Sequence, residues 1–151
     1  MRAYHKAIDT FYDLLINDPE IKTVTKSNVR NALMDIDKNN AFPMAHINVV
    51  QANFTNAIIN FTVAVFAMDL RGDMAMPLRD KWQENDREND NLDRMLYVQH
   101  RLWQKLRVLD GTLTVTSTED PEPFTESGNN VVDGWIMVFN VSVIEEESGA
   151  C

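Results

Sequence analysis

AIINFTVAVFAMDL, residues 57–70, decides the fold. Its odd positions, Ile59, Phe61, Val63, Val65 and Ala67, are apolar without a break. Its even positions mix Asn60, Thr62 and Ala64 with Ile58, Phe66 and Met68. A period of two places successive side chains on opposite faces, so this is a strand with one face on a core and the other partly covered. The run before it, AHINVVQANF (residues 45–54), carries Ile47 and Val49 on one face and reads as a second strand. Asn53-Phe54-Thr55-Asn56 lies between them as a turn, because asparagine tolerates unusual backbone angles. Two alternating runs joined by a short turn predict a hairpin.

The same periodicity recurs near the other end of the chain. VVDGWIMVFNVSVIEE (residues 131–146) sets Trp135, Met137, Phe139, Val141 and Val143 on one face, and Asn140 and Ser142 beside Ile136 and Val138 on the other. TLTVTST (residues 112–118) is rich in β-branched residues and reads as a strand. IKTVTKS (residues 21–27) reads as a short one. Two segments have helical spacing instead. Tyr4, Ile8, Phe11, Leu14 and Leu15 make an apolar stripe over residues 2–17, closed by Asp18-Pro19. Leu92, Met95, Leu96, Leu102, Trp103 and Leu106 make another over 91–108, with Asn89 or Asn91 as its cap and basic residues in its last turn. Residues 28–37 fit neither period well. The expected fold is a single α+β domain over residues 1–151: a mainly antiparallel sheet of four to five strands with two principal helices packed on one face.

Composition narrows the functions. Lys and Arg total 14 against 23 Asp and Glu, a formal net charge of -9, which disfavours tight binding to a phosphate backbone. The one cysteine is Cys151, so neither a disulfide framework nor a thiolate metal site forms within one chain, and a reducing compartment is expected. No stretch approaches the roughly 18 apolar residues of a membrane helix, and the first residues lack a signal-type apolar core. The sequons at Asn53, Asn60 and Asn140 are therefore expected to be idle.

Several stretches invite a chemical reading. In DIDKNNAFPMAH (residues 35–46), Asp35, Asp37 and Asn39 alternate like calcium ligands. The twelfth position, where a calcium loop needs a bidentate glutamate, is His46, so the segment reads as a chain reversal. His5, His46 and His100 include no pair at the spacing of a helical zinc site. The acidic run from Glu84 to Asp90 reads as a solvated loop. There is no G-x-S-x-G elbow and no phosphate-cradling glycine loop. No catalytic, cofactor-binding or metal residue is assigned, and the chain is not expected to be an enzyme or to hold a cofactor.

Interaction is the better-supported reading. The polar excursion at residues 71–90 carries Met74, Met76, Leu78 and Trp82, residue types favoured at interfaces. A second loop is expected at residues 119–130, where Pro123 and Phe124 are similar anchors.

The order of these elements resembles the tail terminator (tail completion) proteins of tailed bacteriophages. The residues that carry it are MRAYHKAIDTFYDLLINDPEIKTVT, FPMAHINV, INFTVAVFAMDL, DNLDRMLYVQHRLWQKLR, EPFTES and GWIMVFNVSV, spread over nearly the whole chain. The resemblance implies a virion structural protein, made in the host cytoplasm, that assembles into a ring at the head–tail junction. Such rings are commonly hexamers, and higher symmetry also fits. The ring would end the tail tube, meet the connector on the portal side and leave a channel through which DNA passes without specific binding. No membrane contact is implied. Two further readings stand beside it: a connector ring in a short-tailed phage, and a small-ligand-binding α+β domain using the mixed sheet face near Asn60, Thr62 and Asn140.

Overall fold

The computed structural model describes residues 2–26, 41–71, 86–109, 111, 113–127 and 131–144. Helix α1 spans Ala3–Ile16 and is followed by the short strand β1 (Thr23–Lys26). Strands β2 (Met44–Thr55) and β3 (Ile58–Leu70) form the predicted hairpin. Helix α2 runs from Asp86 to Arg107, and β4 (Leu113–Thr118), β5 (Glu122–Ser127) and β6 (Val131–Ile144) complete the sheet.

The class is α+β as expected, but the sheet has six strands and is mixed. Its order is β1-β2-β3-β6-β4, with β5 also on β6; β1 runs parallel to β2, and the other pairings are antiparallel. Strand β6 is the spine. It pairs with β3 along its whole length on one side, and β4 and β5 share the other side.

Three boundaries depart from the sequence reading for physical reasons. The β2–β3 ladder continues through Phe54↔Ile59 and Thr55↔Ile58, so the turn is only Asn56-Ala57. Asn56 sits at φ 51°, the left-handed region that asparagine tolerates. Residues 122–127, expected to be loop, form β5. Proline lacks a ladder donor, yet an outer strand tolerates it, and Pro123 lies opposite Trp135 at the sheet's border. The end of the acidic run is helical, since α2 already begins at Asp86. Acidic residues in a first turn suit the positive end of the helix. Asn91 is therefore inside α2 rather than its cap.

Both helices cover the odd-numbered face. Ala7, Ile8, Phe11 and Leu15 of α1 meet Ile47, Val63, Val65, Phe139 and Val141, and Met95, Val98, Leu102 and Leu106 of α2 extend the same core. Trp135, expected on this face, is half-buried against the core and donates its indole N–H to the Leu92 carbonyl at 2.7 Å. A smaller second core lies on the opposite face, where Ala41, Phe42, Met44, Met68 and Val132 gather with Phe66, Leu70 and Phe124 at its margin.

Gly134 is demanded by the β3–β6 contact. A Cβ there would run into the Ala67 carbonyl oxygen and lie 2.8 Å from both Cα and Cβ of Met68. These are backbone and near-backbone atoms of the paired strand, which move only by opening the ladder. Gly134→Ala is expected to cost about 1–3 kcal/mol, the range for overpacking, as read by urea unfolding.

Candidate interaction surfaces

The densest polar constellation lies where β3 ends, β6 begins and α2 starts. Asp133 is wholly buried. Its carboxylate accepts hydrogen bonds from Arg71 Nε at 2.9 Å, Arg71 Nη2 at 2.5 Å, Thr125 Oγ1 at 2.9 Å and Asn91 Nδ2 at 3.4 Å. Asn91 also donates to the Leu70 carbonyl at 2.9 Å, and Arg71 reaches Glu88 at 3.3 Å. Beside this node, Arg94 donates to Asp69 at 2.5 Å and to Asn91 Oδ1 at 2.9 Å. The hydrogen bond to Asp133, reinforced by its charge and that of Glu88 and opposed by burial, raises the Arg71 pKa. The guanidinium is therefore locked in its charged form. The geometric consequence is a clasp, because Arg71 precedes residues 72–85 while Glu88 and Asn91 follow them. Both ends of the excursion are thus pinned at one point of the sheet.

A second clasp joins the helices. Arg101 donates to both oxygens of the buried Asp18, Nε at 2.7 Å and Nη2 at 2.8 Å, and this bond raises the Arg101 pKa. The basic cluster at the end of α2 is therefore partly committed to the fold. Arg107 is also engaged, with its guanidinium carbon 4.4 Å from the centroid of the Trp103 ring.

Of the predicted interface residues, Met74, Met76, Leu78 and Trp82 lie outside the described residues. Pro123 is exposed on β5. Phe124 is half-buried and packs its ring edge-on against Phe66 at 5.7 Å, so it is partly spent on the protein's own second core.

What the sequence reading missed is the reach of the hairpin. Residues 50–58 are exposed throughout, although most of them belong to paired strands. Phe54 is 78% exposed and Val50 57%, with Ile144 half bare and its β3 partner Ile58 partly so. Side chains on both faces of this stretch are bare, so neither helix covers it. The signal was present as two β-runs that together exceed what the helices can cover.

The mixed face of the sheet, proposed as a ligand pocket, is occupied with itself. Thr62 donates to Asn140 at 3.0 Å, Asn140 to Ser117 at 2.9 Å, Asn60 to Asn53 at 2.7 Å and Ser142 to Asn60 at 2.5 Å.

The histidines do not converge. His5 and His100 are exposed, whereas His46 is buried in β2 with Nδ1 2.7 Å from Thr25 Oγ1. Asp35, Asp37 and Asn39 lie outside the described residues. Among the described residues no three His, Cys, Asp or Glu side chains gather as a metal ion would require. No helix among them is long and apolar enough to cross a membrane.

The fold and these surfaces define an α+β sheet domain with one helix-covered face, an exposed hairpin arm and a polar clasp between Arg71, Asp133 and the start of α2. Compared with known proteins, the chain matches no family model and no curated sequence.

Proposed function

We propose that this chain is a ring-forming structural subunit at the head–tail junction of a tailed bacteriophage, of the tail-terminator type. It ends the tail tube, meets the connector and leaves a channel for DNA. The resemblance in element order supports the virion setting. The observation that carries the assembly reading is the arm. A β-hairpin that leaves Phe54 and Val50 in solvent keeps apolar surface available to another chain. A closed ring is a heterologous assembly and needs two different patches on each subunit. The arm offers one, and exposed Pro123 of β5 offers the other. An acidic chain of net charge -9 also gives passing DNA little to adhere to. A connector ring in a short-tailed phage uses the same surfaces and differs only in its neighbours.

The test is the native mass of the purified protein, alone and mixed with tail-tube or connector protein. A ring in either sample is the expected result; a persistent monomer in both overturns the reading. Phe54→Ser is expected to weaken assembly by about 2 kcal/mol, as an interface anchor does, while unfolding stability stays within about 0.5 kcal/mol because the side chain is already in water. A variant that assembles normally removes the arm from the interface.

A further inference from the structure

A groove of about 580 Å³ runs between α2 and the corner where β4 passes into β5. That size falls in the range of sites that take a ligand or a peptide side chain. Its charge is one-sided. Asp93 from α2 and Glu119 and Asp120 from the corner line it, and among the described residues no lysine or arginine does. All three carboxylates are exposed residues.

The floor supplies an independent sign of a missing partner. Gln99 lines the groove and is 1% exposed. Its Nε2 donates to the carbonyls of Val65 at 2.8 Å and Trp135 at 3.0 Å. These two bonds use both amide protons and fix which end of the amide is oxygen. Oε1 is left buried without a donor among the described residues. A buried acceptor in that state favours any N–H donor that reaches it.

The walls select the donor. Tyr97, 55% exposed, presents a ring at the groove, and His100 and Trp103 stack beside it at 5.9 Å. The Trp103 face is already under Arg107 of the same chain, so Tyr97 is the aromatic surface open to a newcomer. Aromatic faces and carboxylates together suit a planar guanidinium, which stacks and donates several N–H bonds in one plane. β4 and β5 pair only with β6 among the described residues, so the border beside the groove also offers backbone groups to an extended segment.

We infer that the groove between α2 and the β4–β5 corner docks a basic segment of a partner protein, taking one arginine side chain toward the Gln99 amide. The inference does not depend on ring formation, and it differs from the arm in position and chemistry. A nucleic acid is an unsuitable occupant, since the three carboxylates repel its phosphates.

The test titrates the full-length, 15N-labelled chain with N-acetyl-arginine N-methylamide and follows the side-chain amide of Gln99 and the indole N–H of Trp103. Saturable shifts at both are expected, with half-saturation on the order of 1–10 mM, as suits one side chain. The citrulline analogue, equal in shape and neutral, is expected to bind about tenfold more weakly, as is the arginine probe to the variant Asp93→Asn/Glu119→Gln/Asp120→Asn. Because the substituted residues are exposed, a dispersed spectrum separates lost binding from lost folding. Equal binding of the two probes, shifts confined to the hairpin arm, or no shift at Gln99 up to about 50 mM would overturn the inference.

Discussion

Asp133→Ala is expected to lower unfolding stability by about 3–5 kcal/mol, the cost of removing one partner from a buried ion pair. The Asp133 side chain is 0% exposed and that of Arg71 only 16%. Among the described residues, truncation therefore leaves the largely buried guanidinium only the partly exposed Glu88 at 3.3 Å, and it also removes an acceptor for Asn91 and Thr125. Because the Arg71 pKa is raised, the favourable pairing is fully present below the ordinary arginine range and fades only as pH climbs through the raised value. Raising the pH short of the arginine range cannot rescue the variant, because the guanidinium stays charged there. The double variant Arg71→Met/Asp133→Leu should recover most of the loss, since no charge is then left buried. Urea unfolding of the single and double variants reads this directly, with a coupling of at least about 1 kcal/mol expected. Strict additivity would mean that the two charges do not stabilise one another. The same clasp holds the base of residues 72–85, so faster amide exchange at Leu70, Arg71 and the first turns of α2 should accompany Asp133→Ala.

Phe139→Ala should be similarly damaging, at about 3–5 kcal/mol. Phe139 is fully buried on the spine strand, between Val63 of β3 and Thr118 of β4. Its ring meets that of Phe11 edge-on, with centroids 5.6 Å apart and planes at 64°. That pair fastens α1 to the sheet. Thermal or urea unfolding of Phe139→Ala, Phe11→Ala and the double variant should return a coupling of about 0.5–1.5 kcal/mol. The contrast with Phe54 is informative, because the same residue type at 78% exposure should change stability hardly at all. A small loss at Phe139 would mean that the helix layer collapses into the vacated space.

The strands that build the centre of the sheet were legible because their periodicity is local. In β3 and β6 the odd positions stay apolar from Ile59 to Ala67 and from Trp135 to Val143, and a period of two leaves little freedom about which face is buried. The α2 stripe was also legible, although Leu96, counted in it, lies 37% exposed on the groove side and Val98 is buried in its place. A helix face is read only to within about one residue, since neighbouring positions differ by 100° of rotation. β5 was not legible. Two prolines and a polar run look like a loop, and only the open side of β6 turns residues 122–127 into a strand. Asp133 left a trace, as a carboxylate on the same odd face as Trp135 and Met137. Its partner Arg71 stands 62 residues away, beyond any local pattern. The second core was half-visible in Phe66 and Met68, but the residues that complete it come from Ala41, Phe42 and Phe124, on other segments.

The sequence by itself determined the α+β class, the hairpin, the two helices and the acidic surface, because each follows from side-chain period or charge within a single segment. The tertiary structure alone decided the parallel β1–β2 pairing, the clasp at Asp133, the reach of the arm and the groove over Gln99. Each of these is a meeting of residues far apart in the chain, and it exists only after packing has brought their elements side by side.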